Sequence, residues 1–135
     1  MGTRFSSSVA GKVTKLYFFK PKGETGSNTI RLWNDSGTQQ LASVTIPSTS
    51  CNTSPGSIWP GQWCSASITP TNIAANTNYR VTVNTNSKQS KTGCGIGSGI
   101  TSGSLTAHSG YWIAGDTFPT TGSCSNFFVN VKFSR

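Results

Sequence analysis

The sequence predicts an all-β protein: a two-sheet antiparallel β-sandwich, jelly-roll-like, of about eight strands. Apolar residues alternate with polar ones in short segments, most regularly at Phe127, Val129, Val131 and Phe133. No apolar period of 3.6 residues persists beyond one turn, and clusters of Gly, Pro, Asn and Ser separate the segments. Because side chains alternate between the two faces of a strand, each segment offers one apolar face to a shared core.

Four strands are predicted in the first part of the chain, at residues 3–8, 13–20, 28–34 and 40–46. In the second strand, alternation places Leu16 and Phe18 on one face and Tyr17 and Phe19 on the other. The Pro- and Gly-containing segment 20–26 and the segment 34–37 are predicted turns. Residues 47–62, with three prolines, are predicted to form a long loop.

Four more strands are predicted at residues 63–69, 79–83, 111–114 and 126–133. Ala66 and Ile68 face inward in the first of these, and Tyr79, Val81 and Val83 face inward in the second, with Arg80 and Thr82 outward. Residues 86–110 are rich in Gly and Ser with little periodicity, so they are predicted to be a loop. The whole chain, 1–135, is expected to form a single β-sandwich module.

Charged residues make up only 10% of the chain, and the formal net charge is +8. The basic residues are scattered without a run of four, which favours a generic basic surface over nucleic-acid binding. No apolar run reaches 18 residues, so no membrane-spanning helix is predicted. The first residues lack the apolar core of a signal peptide, which leaves open a removed export signal or an excised module with an added Met1.

The four cysteines are Cys51, Cys64, Cys94 and Cys124. An even number in a small polar β-rich chain favours two disulfides and an extracellular or cell-surface location. Of the three pairings, we favour Cys51–Cys64, which closes a local loop, and Cys94–Cys124. Zinc is the competing interpretation, but no CxxC occurs and His108 is the only histidine, so no metal site is predicted.

Short segments follow one another in a recognisable order along nearly the whole chain. They include Gly2-Thr3-Arg4-Phe5, Phe18-Phe19-Lys20, Gly23-Glu24-Thr25-Gly26, Leu32-Trp33, Ser36-Gly37-Thr38, Leu41-Ala42-Ser43-Val44-Thr45, Gly103-Ser104-Leu105-Thr106-Ala107, Phe118-Pro119-Thr120 and Asn126-Phe127-Phe128-Val129-Asn130-Val131. In this order they resemble the bacterial domain family of unknown function DUF4082. The resemblance implies a secreted β-sandwich module, often attached to polysaccharide-acting or adhesive multidomain proteins.

Two departures from the family pattern stand out. Asn130 occupies a position where the family usually has Asp, so the resemblance gives no support for a metal or salt-bridge role there. The loop from Cys51 to Cys64 resembles an embellishment of the family pattern. Trp33 and Trp63 match family positions and are therefore expected to be mainly packing residues.

The candidate ligand-binding residues are Trp59, Tyr111, Trp112 and Arg80. Trp59 lies in the loop that Cys51–Cys64 would close, where a constrained indole offers sugar rings a rigid face; the alternative is an indole that folds back onto the sandwich. Tyr111 and Trp112 are consecutive, so one is expected in the core and the other on the surface. The Asn- and Thr-rich residues 72–86 could bond sugar hydroxyls, but a solvated sheet face is the favoured interpretation.

No catalytic residues are predicted. His108, Ser109 and Asp116 are the only conceivable parts of a triad, and the chain has just three acidic residues for carboxylate chemistry. The glycines at 93–99 are not followed by a helix, so they predict a flexible loop rather than a phosphate site. No cofactor is expected, although a structural calcium ion near Glu24 or Asp35 is left open.

These observations favour a non-catalytic extracellular binding module that recognises carbohydrate or a cell-surface polymer. The alternative is a structural subunit of an extracellular filament or a particle decoration, assembled through strand or surface contacts. In that alternative, the opening strand at residues 3–8 is the expected donor. Attachment to a larger multidomain parent is compatible with both hypotheses.

Overall fold

The computed structural model describes residues 1–21, 27–47, 61–84, 100–112, 119, 121–123 and 129–135. The predictions for Trp59, Cys51, Cys94 and Cys124 lie outside these residues, as do those for Glu24 and Asp116. The described residues form ten strands: β1 (Gly2–Ser7), β2 (Gly11–Pro21), β3 (Asn28–Asn34), β4 (Gln40–Ile46), β5 (Gly61–Ile73), β6 (Tyr79–Val83), β7 (Ile100–Ser102), β8 (Leu105–Trp112), β9 (Thr121–Ser123) and β10 (Val129–Ser134).

The strands form two antiparallel sheets, which confirms the predicted all-β, sandwich-like fold. The large sheet has seven strands in the order β4-β3-β6-β1-β8-β7, with β9 also paired to β8, and the small sheet has three in the order β10-β2-β5. Among the described residues no helix could cross a membrane.

Sequence patterns predicted too few strand residues around residue 105. β7 and most of β8 lie in the segment predicted to be a loop, and the described part of the strand predicted at 111–114, residues 111 and 112, is the end of β8. The short strands β7 and β9 raise the number of strands above the eight expected. Gly and Ser interrupt the apolar pattern of β8, and this strand is held by hydrogen bonds to β1, β7 and β9 rather than by a strong apolar face of its own.

The core lies between the two sheets. Val129 and Val131 of the closing strand are buried as predicted, at 3% and 6% exposure, and so are Tyr79, Val81 and Val83 of β6. Ala66, Ile68 and Phe133 are partly buried against the core, and Phe127 lies outside the described residues. Each buried side chain of this size contributes roughly 1.5–3 kcal/mol through the hydrophobic effect. The buried apolar residues of the core include Phe5, Val13, Leu16, Phe18, Ile30, Leu32, Ile46, Cys64, Ile73, Val81 and Val83.

A β-bulge in β2 changes which residues share a face. Relative to β10, the register shifts between Lys132 and Phe133, and Thr14 is the extra residue of β2. Val13 is therefore fully buried, although strict alternation with Leu16 would turn it outward. Beyond the bulge Lys15 lies on the outer face, away from the core.

The opening strand β1 lies inside the large sheet, between β6 and β8. Both of its edges are hydrogen-bonded within the chain, to residues 79–82 on one side and 105–111 on the other. Donating this strand to a neighbouring molecule would break both sets of bonds. Assembly by strand exchange therefore stays a prediction. Donation of β1 would be unfavourable, because the hydrogen bonds along both of its edges would be lost.

Candidate ligand-binding face

The outer surface of the small sheet carries a row of aromatic side chains. Leu16 and Phe18 point into the core with 0% exposure, so Tyr17 and Phe19 point outward from the same strand. Phe19 is paired in register with Trp63 of β5. Their ring centroids are 5.8 Å apart with an interplanar angle of 79°, an edge-to-face contact that is favourable for aromatic pairs. We call Tyr17, Phe19 and Trp63 the aromatic face.

Among the described residues, Trp63 is the exposed large apolar side chain, with 53% of its surface accessible to solvent. The prediction that it is mainly a packing residue is wrong. The signal for its exposure was in the sequence, because Trp63 has the opposite parity to Ala66 and Ile68, which were expected to face inward and which pack against the core. At 53% exposure, about half of the Trp63 side chain is accessible from solvent.

Polar and basic side chains continue this surface along the strands. Tyr17 is paired with Ser65 on one side and Asn130 on the other. Two residues further along β2, Lys15 is paired with Ser67 and Lys132 in the same way. The strands β2, β5 and β10 contain no acidic residue. The face is thus aromatic at one end and basic at the other, with hydroxyl and amide groups between.

The neighbour of Trp63 is held in the core. Cys64 is 1% exposed and is not a free thiol. The residue with which it pairs lies outside the described parts of the chain, so the pairings Cys51–Cys64 and Cys94–Cys124 stay predictions. Burial of Cys64 anchors the start of β5 and fixes the position from which Trp63 projects.

The outer surface of the large sheet carries an ionic cluster instead. The Asp35 carboxylate accepts hydrogen bonds from Arg4 at 3.0 Å and from Arg80 at 3.1 Å. The Arg80 guanidinium also lies 3.7 Å from the centroid of the Tyr111 ring and donates to the carbonyl oxygen of Pro119 at 3.0 Å. We call Arg4, Asp35, Arg80 and Tyr111 the arginine cluster.

The structure therefore brings together two of the predicted ligand-binding residues, Arg80 and Tyr111. It also shows that they are engaged with each other, and the Arg80 side chain is only 13% exposed. Trp112 occupies the last position of β8, where the structure describes its backbone pairing with Thr121. Trp59 lies outside the described residues, so its role stays a prediction.

Trp33, predicted to be mainly a packing residue, is half-buried. Its indole N–H donates to the Thr82 hydroxyl at 3.0 Å on the outer side of the large sheet. Thr82 was correctly assigned to the outward face but is only 5% exposed, because neighbouring side chains cover it. Polar side chains that lose water in this way need such partners.

A shallow cleft of ≈ 860 Å³ lies near the start of β6. Its lining includes Asn72, Asn76 and Asn78 from the Asn- and Thr-rich segment, together with Asp35 and Arg80. The amides could bond sugar hydroxyls. However, the aromatic ring in this lining, Tyr79, is 9% exposed and its hydroxyl accepts a hydrogen bond from the Ala74 N–H. The cleft therefore lacks an available stacking surface.

The described hydrogen bond of His108 is not to Ser109, the nucleophile that a triad would require. Its Nε2 lies 2.7 Å from the hydroxyl of Ser6 on the adjacent strand. Among the three acidic residues of the chain, Asp35 is the one that the structure describes. Both of its carboxylate oxygens accept hydrogen bonds from arginines. Asp35 is therefore a poor candidate for orienting a catalytic histidine or for binding calcium. Within the described ranges, no group of three His, Cys, Asp or Glu residues could hold a metal ion.

Comparison with known proteins gives a match to a family model. The family described as a domain of unknown function, DUF4082, matches residues 1–129 of the chain. No curated protein and no solved structure matches it.

Proposed function

Since the chain belongs to the DUF4082 family, we propose that it is a non-catalytic extracellular module that binds carbohydrate or a cell-surface polymer through its aromatic face. The observation that carries this proposal is the 53% exposure of Trp63 beside Phe19 on the outer surface of a sheet. Exposing an indole to water costs a folded domain free energy, and adjoining aromatic side chains on an outer surface, such as Trp63 and Phe19, are typical of binding sites.

The chemistry of the face suits a sugar polymer. The C–H bonds on one side of a pyranose ring stack on aromatic rings, which lose little conformational entropy when they bind. Hydroxyl and amide groups beside the rings, from Ser65 and Asn130, can donate to and accept from sugar hydroxyls. An extended strand surface presents these groups in a line, which matches the shape of a polysaccharide better than that of a compact metabolite.

The non-catalytic part of the proposal depends on the acidic residues. Glycoside hydrolysis uses a pair of carboxyl groups on either side of the scissile bond, and the strands of the small sheet contain none. The candidate base, His108, is located on the large sheet. The extracellular part depends on the disulfides Cys51–Cys64 and Cys94–Cys124; four free thiols in native protein, measured by mass spectrometry, would remove its main support.

The proposal is tested by affinity electrophoresis and calorimetry against neutral and anionic soluble polysaccharides. Trp63→Ala should weaken binding to the retained polysaccharide by about tenfold or more, because the stacking surface is lost. Trp33→Ala, which removes an indole from the opposite sheet, is the matched control and should leave affinity unchanged. If no polysaccharide is retained by the wild type, or if Trp63→Ala binds as tightly as the wild type, the proposal is wrong.

A further inference from the structure

We infer that the ligand of the aromatic face is an anionic polysaccharide, whose carboxylate, sulfate or phosphate groups bind Lys15 and Lys132. This inference depends on the proposed function and adds the charge class of the polymer. It is carried by the position of the two lysines relative to each other and to the aromatic face.

Lys15 and Lys132 are directly opposite each other on neighbouring antiparallel strands. Both are on the outer surface, because Leu16 and Val131, the next residues along each strand, are buried in the core. Two like charges at directly opposed positions of a sheet repel each other. The salt bridges among the described residues involve Arg4 and Arg80 with Asp35 on the other sheet, so no described carboxylate offsets this repulsion. A polyanion bound across Lys15 and Lys132 would offset the repulsion between them.

The lysine pair is continuous with the aromatic face. From Phe19 to Lys15 is four residues along one strand, about 13 Å, with Tyr17 midway. Lys12 extends the same line, since the bulge at Thr14 keeps it on the exposed side with Val13 inward. A polymer following β2 would therefore place sugar rings on the aromatic residues and its anionic groups near the lysines. Three bases in a line also attract other polyanions, and nucleic acid is thus one of the outcomes to be tested.

The experiment compares polymers that share a backbone and differ in charge. Polygalacturonate is compared with its highly methyl-esterified form, and carboxymethylcellulose with hydroxyethylcellulose. The double variant Lys15→Gln/Lys132→Gln should bind the anionic member of the preferred pair about tenfold more weakly, while its binding to the neutral member stays as in the wild type. The preference for the anionic member should fall as salt is raised, because exposed charges are screened.

A charge-matched control separates the lysine pair from net charge. Arg31→Gln removes one positive charge from the large sheet, and its affinity for the anionic polymer should remain close to wild type, whereas Lys132→Gln alone should weaken binding. Equal weakening by Arg31→Gln and Lys132→Gln would overturn the inference in favour of a general charge effect.

The outcomes distinguish this inference from the proposed function. If neutral polysaccharides bind through Trp63 as tightly as anionic ones, the lysine inference is wrong and the proposed function stands. Both the lysine inference and the proposed function are wrong if two results occur together. Polyglutamate or single-stranded DNA binds as tightly as the anionic polysaccharide, and Trp63→Ala binds that polysaccharide as tightly as the wild type does. Loss of anionic binding in the lysine double variant, with neutral binding retained, supports both.

Discussion

The two outer surfaces of the sandwich use similar residues in opposite ways. On the large sheet, the positive charges of Arg4 and Arg80 meet the Asp35 carboxylate, and Arg80 covers the Tyr111 ring. On the small sheet, Trp63 is 53% exposed and Lys15 is opposed by another lysine. Groups that satisfy one another stabilise the fold but are unavailable to a ligand. The difference favours a structural role for the large sheet's surface and supports the proposal that a ligand binds the small sheet's surface.

The comparison between Tyr111 and Trp63 makes the same point for single rings. The Tyr111 ring carries a guanidinium 3.7 Å from its centroid, a cation–π contact within the chain. Trp63 contacts Phe19 edge to face and still exposes half of its surface. If this contrast holds, substitutions on the large sheet should change stability, and substitutions on the small sheet should change it little.

The largest effect is expected for Asp35→Ala. It removes the carboxylate that accepts from both Arg4 and Arg80, and the loss of two charge-assisted hydrogen bonds should lower the free energy of unfolding by about 2–3 kcal/mol. The measurement is urea denaturation, with Asn130→Ala on the small sheet as the control, expected within about 0.5 kcal/mol of wild type. A loss below about 1 kcal/mol for Asp35→Ala would show that the arginine cluster is not structural.

A somewhat smaller effect is expected for Gly2→Ala in the middle of the large sheet. A Cβ there would collide with the Val81 carbonyl oxygen and lie 2.9 Å from the Thr82 Cγ2, so the strands must shift. Overpacking of this kind should cost about 1–3 kcal/mol. Gly122→Ala is the matched control, because its Cβ would meet the Tyr111 ring at an ordinary 3.4 Å. Equal melting temperatures for the two variants would contradict the closed packing described for this surface.

The two tryptophans offer a matched pair of conservative changes. Trp33→Phe removes the N–H that donates to the buried Thr82 hydroxyl and should destabilise the protein by about 1 kcal/mol. Trp63→Phe keeps an aromatic ring on an exposed position and should change stability by less than about 0.5 kcal/mol. Thermal unfolding of both variants tests this; a larger loss for Trp63→Phe than for Trp33→Phe would reverse the assignment of the two surfaces.

The smallest effect, and the only gain, is expected for Lys132→Gln. Removing one of two opposed positive charges should raise the free energy of unfolding by about 0.3 kcal/mol at low salt. The gain should disappear at high salt, where the repulsion is screened in the wild type too. Chemical denaturation at two ionic strengths measures it. A loss of stability at low salt would mean that Lys132 already has a favourable partner in the unliganded protein.

Much of the fold follows from alternation along the chain. The strands at 28–34, 40–46 and 79–83 were predicted with their observed bounds, since apolar residues recur at alternate positions along each of them. Alternation failed where a residue is inserted, as at Thr14, and where a strand has few apolar residues, as in β8. Alternation does put Lys20 on the same face as Leu16 and Phe18, and it is 0% exposed there, although a charged side chain alone would be expected in water.

The candidate site was only partly predictable. Alternation placed Arg80 outward and put Tyr17 and Phe19 on the face opposite Leu16 and Phe18, but it did not decide which of these two faces is buried. The exposure of Trp63 was missed because its family position was interpreted as a packing position. The pairing of Lys15 with Lys132 could not be predicted either, because these residues are more than a hundred positions apart and their register is set by the bulge. The contacts of Arg80 with Asp35 and Tyr111 could not be predicted either, because these two partners come from other parts of the chain.

By itself the sequence determined the class of the fold and the inward or outward side of most strand residues, because side-chain direction in a strand is a local property of the backbone. The tertiary structure decided which outward residues become neighbours. Strand order and register are set by contacts between distant segments. On the large sheet they bring Arg4 and Arg80 to Asp35, and on the small sheet they leave Trp63 exposed. The proposed binding function depends on strand order and register, because a ligand can only contact the groups that the fold leaves exposed.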